Sequence, residues 1–128
     1  MIRISLILLS ILSSCFKDET VSGQIKDNVD WVLATLNETP VPTHITIAFP
    51  KEGKITGQAP CNRYFGNQTL PLPWFEITAL GATKMACSDL NLEAQYFGLL
   101  KKMTTAEITG DTLVLRSDTG DVLVYKNN

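Results

Sequence analysis

Residues 106–125 read Ala-Glu-Ile-Thr-Gly-Asp-Thr-Leu-Val-Leu-Arg-Ser-Asp-Thr-Gly-Asp-Val-Leu-Val-Tyr. Three short β-prone runs, 106–109, 113–116 and 122–125, are separated by Gly110-Asp111 and by Ser117-Asp118-Thr119-Gly120. Glycine and aspartate supply the backbone freedom and local hydrogen bonds that tight turns need, so the stretch predicts a three-stranded antiparallel meander. Working back from it, 89–102 is the one convincing helix. Ser88 or Asp89 can cap its start, no Pro or Gly intervenes before Gly98, and Lys101-Lys102 suit a helix C-terminus.

Further upstream the pattern is again β. Residues 31–34 and 44–49 are strand-like, and in the second Ile45, Ile47 and Phe49 alternate with His44, Thr46 and Ala48. Residues 54–56 form another short run between Gly53 and Gly57, and 74–78 a further one after Pro71 and Pro73. Seven to eight short strands with one amphipathic helix near 89–102 predict an α+β domain, built on a curved antiparallel sheet or a partly closed β-barrel.

The first residues carry a different message. Arg3 follows Met1-Ile2, residues 6–12 are almost wholly apolar, and Ser13-Ser14 precede Cys15. A positive start, a short apolar middle and small residues before a cut make a secretory signal, and the apolar run falls short of the roughly 20 residues that span a bilayer. Leu12-Ser13-Ser14-Cys15 also resembles the bacterial lipobox, in which the cysteine thiol takes a lipid. The expected organisation is a signal at 1–14, a polar tether lipidated on Cys15 over 15–28, and one folded domain at 29–128. Phe16 is not the Asp that marks inner-membrane retention, which favours an outer-membrane, periplasm-facing location.

Composition limits the function. The chain is 45% hydrophobic and 19% charged, enough apolar material for one core and too little charge for a disordered chain. Its net charge of -2 offers no basic surface for nucleic acid. His44 is the sole histidine. Cys61 with His44 would make a thiol dyad, and Cys61, Cys87 and His44 three zinc ligands, but the spacing matches no zinc pattern and no G-x-S-x-G or H-E-x-x-H motif is present. With Cys15 consumed by lipid, Cys61 and Cys87 are an even pair in an oxidising compartment, which predicts a disulfide.

Ile55-Thr56-Gly57-Gln58-Ala59-Pro60-Cys61-Asn62-Arg63-Tyr64-Phe65-Gly66 resembles the META domain family, also described as heat-shock HslJ-like, whose pattern is G-x-x-G-C-N-x-Y-x-G. Thr83-Lys84-Met85-Ala86-Cys87 matches the family's T-x-M-A-C. Trp31 with Leu33, Glu93, and Gly110-Asp111 before Leu113 and Leu115 extend the likeness from Trp31 to Tyr125. Pro60 departs from it, standing where the family has glycine. The resemblance implies a heat-shock or envelope-stress role without an established enzymatic activity, and no cofactor or metal is expected.

Three expectations about residues follow. Asn62, Arg63 and Tyr64 form a candidate recognition loop, against the plainer reading that Asn62 satisfies its own turn and Tyr64 packs. Glu93 falls inside the apolar arc of Leu92, Tyr96, Phe97, Leu99, Leu100 and Met103, so it is expected to accept hydrogen bonds from loop amides or from Arg63; the alternative is a solvated first-turn glutamate. The functional expectation is a non-enzymatic, monomeric envelope lipoprotein that meets the membrane through Cys15 and binds an envelope protein. A carrier of a small apolar ligand, with a pocket in the half-closed sheet, is the alternative.

Overall fold

The computed structural model describes residues 17–25 and 29–127. The expected signal at 1–14 and Cys15 lie outside the described residues. In chain order the elements are a one-turn helix α1 (Val21–Gln24), strands β1 (Trp31–Leu36), β2 (Thr39–Pro40), β3 (Thr46–Ile47), β4 (Lys54–Gln58), β5 (Arg63–Asn67) and β6 (Thr78–Ala82), helix α2 (Leu90–Leu100), and strands β7 (Met103–Thr109), β8 (Thr112–Ser117) and β9 (Val122–Asn127). The α+β class expected from the sequence is the one observed.

The strands make two antiparallel sheets. One runs β2-β1-β9-β8-β7 with β3 paired to the other end of β1; the second is β4-β5-β6. Pairing of β1 with β9 brings the two ends of the domain together. The meander β7-β8-β9 forms as its turns dictate, with Gly110 at φ +57, a conformation that a side chain would strain. Register shifts at Leu33/Thr35, Phe65/Asn67 and Met103/Thr105 are bulges that bend the strands. The bridge of Ala48 with Thr56 joins the sheets and that of Trp74 with Thr105 ties the connection between β5 and β6 to β7, without closing a barrel.

Several boundaries differ from expectation. Only Thr46–Ile47 of the run 44–49 is a strand, and all of 45–49 is buried instead of alternating. The segment lies between the sheets, pairing with β1 on one side and bridging to Thr56 on the other, so both faces meet protein. The run 74–78 is not a strand. Pro71 and Pro73 have no N–H to give a ladder, so pairing there is confined to the Trp74–Thr105 bridge and β6 begins at Thr78. Arg63 and Tyr64, expected in a recognition loop, belong instead to β5, with Tyr64 and Gly66 inward and Arg63 and Phe65 outward.

The described part of the expected tether also departs from a free spacer. Val21 is fully buried in the core cluster and Thr20 is buried beside it. The Asp18 carboxylate accepts from Thr20 N (2.9 Å), Thr20 Oγ1 and Ser22 Oγ. Gly23 permits this clamp, because a Cβ there would collide with the Asp18 carbonyl. Of the residues that read as a polar tether, Asp18, Thr20 and Ser22 satisfy one another.

Candidate functional site

Helix α2 presents Glu93, Tyr96, Leu99 and Leu100 inward, with Leu92 and Phe97 half-buried beside them, the arc expected from its 3.6-residue period. Glu93 is therefore a buried carboxylate, 5% exposed, and it lies against the connection between β4 and β5. That connection, Ala59-Pro60-Cys61-Asn62, tolerates Pro60 because proline suits a turn corner. It aims two successive backbone amides at the helix. Oε1 of Glu93 accepts from Cys61 N (3.1 Å) and Asn62 N (2.7 Å), and Oε2 accepts from Asn62 Nδ2 (2.7 Å). Consecutive amides of this kind make an anion cradle, and here the protein fills it with its own side chain.

Asn62 is the centre of this arrangement. Its Nδ2 also donates to Met85 O (3.1 Å), while its Oδ1 accepts from Met85 N (2.6 Å) and Thr83 Oγ1 (2.9 Å). Both donors and both acceptor positions of the amide are thus used, which fixes its orientation. Thr83 is in turn tied to β5: Arg63 N donates to Thr83 Oγ1 (3.2 Å) and Thr83 N to Arg63 O (3.0 Å). Cys61 and Cys87 are disulfide-bonded with Cα atoms 5.7 Å apart, inside the range that such a bond requires. The bond draws the segment before α2 onto the same turn.

Glu93 behaves as expected in accepting loop amides, but Arg63 is not its partner; the arginine points to solvent. Tyr64 packs, as in the plainer reading. Asn62 does not satisfy its own turn, since its partners lie across the fold. Of the candidate recognition loop only Arg63 is exposed. The disulfide leaves neither Cys61 nor Cys87 as a nucleophile or a zinc ligand, and His44 is exposed.

Beneath this node is a chain of phenols that the sequence did not announce. Tyr64 OH donates to Thr46 O (2.7 Å), so it must accept from Tyr96 OH (2.8 Å), and Tyr96 must then accept from Tyr125 OH (2.7 Å). These are all three tyrosines of the protein, and all are buried. Burial pushes each phenol well above its ordinary pKa, and the like charge of a neighbouring phenolate raises it further, against a smaller lowering at Tyr64 and Tyr96 from the hydrogen bond that each accepts. A carrier would need empty apolar volume inside the sheets. In its place the tyrosines, Ile45, Ile47, Ile55, Leu113, Leu115 and Leu123 pack in one cluster. Grooves such as the one of about 240 Å³ bordered by Leu36, Val41 and Leu92 open at the surface. Trp31 is buried with its Nε1 unpartnered among the described residues.

The hydrogen bonds explain why two separated motifs occur together: Cys61-Asn62 and Thr83 to Cys87 are the two halves of one node. None of the curated proteins compared with this chain matches it. Among solved structures, an NMR structure of a protein from Burkholderia xenovorans shares the fold at TM-score 0.64 and 24% identity, over 82% of this chain and 85% of that one. A second NMR structure matches at TM-score 0.62 and 26% identity, over 77% of this chain and 88% of its own. The META domain profile matches residues 24–128, most of the sequence, and the chain belongs to the META domain family.

Proposed function

We propose that this META domain is an envelope lipoprotein, exported by residues 1–14, held by a lipid on Cys15 and facing the periplasm from the outer membrane. It acts by binding or by a structural, stress-related role, not by catalysis. The observation that carries this reading is how the conspicuous polar residues are employed. Cys61 and Cys87 are joined, and Glu93, Asn62 and Thr83 are bound to one another, so each holds the fold and none is poised toward a substrate. A partly exposed disulfide also suits an oxidising, exported setting better than a reducing cytosol. The binding partner in this reading is another envelope protein.

Replacing Cys15 with Ser tests the anchor. The original chain should fractionate with membranes and carry lipid, whereas Cys15→Ser should lose the lipid and leave the membrane fraction. A variant that remains as lipid-modified and membrane-bound as the original would overturn the reading.

A further inference from the structure

The buried side chain of Gln68, 1% exposed, does unusual work for a polar residue. Its Nε2 donates to Leu70 O (3.0 Å) and Trp74 O (3.2 Å), and its Oε1 accepts from Leu70 N (3.0 Å). The loop it braces is held from outside as well. Trp74 N donates to Pro71 O, Phe75 N to Thr104 O, and Ala106 N to Pro73 O, each at 2.9 Å. What this rigid loop presents to solvent is apolar: Trp74 is 57% exposed and Leu70 36%. A groove of about 320 Å³ runs between these two side chains, Phe75 and Met103, with Lys101 and Lys102 on its border and Glu76 as its acid.

The same loop receives the N-terminal segment. Leu72 N donates to Glu19 O (2.8 Å), and the buried Val21, the Asp18 clamp and the close approach at Gly23 fix the direction of the chain. Four residue-to-residue steps separate Glu19 from Cys15. At no more than about 3.6 Å each, they keep Cys15 within about 14 Å of Glu19, and so close to the loop. A lipid on Cys15 would therefore enter the bilayer within reach of Leu70 and Trp74.

We propose that the Leu70–Trp74 loop with Lys101 and Lys102 is a second membrane contact, lying in the interfacial layer of the bilayer that holds the lipid of Cys15. This rests on the lipoprotein reading. The chemistry is that of an interfacial site: an indole sits at the headgroup level, an aliphatic side chain goes deeper, and paired lysines meet anionic headgroups while their stems cover apolar surface. The short connection makes the contact close to intramolecular, so it needs little affinity of its own. The domain is thereby oriented against the membrane.

The test uses the acylated, full mature protein in vesicles of phosphatidylcholine and phosphatidylglycerol with brominated acyl chains, following tryptophan fluorescence. Of the two tryptophans Trp31 is buried, so bromine quenching should come from Trp74 and should vanish in Trp74→Phe. Lys101→Glu with Lys102→Glu should lower the quenching at least roughly twofold. Quenching that is absent in acylated, vesicle-bound protein, or that persists unchanged in Trp74→Phe, would overturn the proposal; shielding of Trp74 by an added envelope protein in place of lipid would do the same. Failure of the anchor is seen separately, as an N-terminal peptide without lipid on Cys15, and removes both readings.

Discussion

Replacing Glu93 by Gln keeps the size of the side chain and removes only its charge and half of its acceptors. Hydrogen bonds to a charged group contribute about 1.5–3 kcal/mol and neutral ones about 0.5–1.5 kcal/mol, so the bonds from Cys61 N and Asn62 N each weaken by about 1 kcal/mol. The third bond reverses sign, because the new amide nitrogen faces Asn62 Nδ2, donor against donor. Neither amide can turn over to relieve this. A flipped glutamine would oppose two backbone N–H groups, and a flipped asparagine would lose Met85 and Thr83. A stranded buried donor costs about 1–3 kcal/mol, while the lower desolvation cost of a neutral amide returns part of the total. The expected loss is about 2–4 kcal/mol, a large share of the stability of one domain. Urea unfolding followed by circular dichroism should show a lower midpoint with an unchanged slope. Gln95→Glu, on the exposed face of α2, is the control and should change stability by about 0.5 kcal/mol or less. A Glu93→Gln loss no greater than that would refute the node as a load on the fold.

Two other perturbations probe the same core. The folded-state pKa of every tyrosine lies above the unfolded value of about 10, so the stability they contribute is complete below pH 10 and is lost as pH rises toward the folded values. Phenolate absorbance should therefore stay flat in alkali and rise together with unfolding; gradual titration near pH 10 with intact circular dichroism would contradict the buried chain of phenols. Reducing Cys61–Cys87 reopens a loop with a sequence separation of 26, which should cost about 3.5 kcal/mol in the chain-entropy account and lower Tm by on the order of 15 °C. A melting temperature unmoved by reduction, checked by thiol counting, would show that the bond constrains little.

Much of this was legible in the sequence because it is written in side-chain pattern. Glycine and aspartate spacing marked the meander, the 3.6-residue period turned Glu93 inward, and counting cysteines paired Cys61 with Cys87. What escaped depends on backbone partners or on distance along the chain. Asn62 reaches the main chain of Met85, which leaves no trace in residue type at that position beyond the motif itself. Gln68 lies among polar residues and reads as surface, although its bonds to Leu70 and Trp74 require burial. Thr20 and Val21 belong to a stretch too polar to suggest packing, yet Asp18 satisfies its hydroxyls locally and leaves Val21 free to dock. The three tyrosines stand far apart in the sequence, and only the fold brings their hydroxyls together.

The most direct test of the account is the intact mass of the mature protein purified from membranes. The account predicts a chain that begins at Cys15, carries the added mass of a lipid there, and is lighter by two hydrogens than its fully reduced form because Cys61 and Cys87 are joined. A chain beginning at another residue, an unmodified Cys15, or free thiols at Cys61 and Cys87 would contradict it.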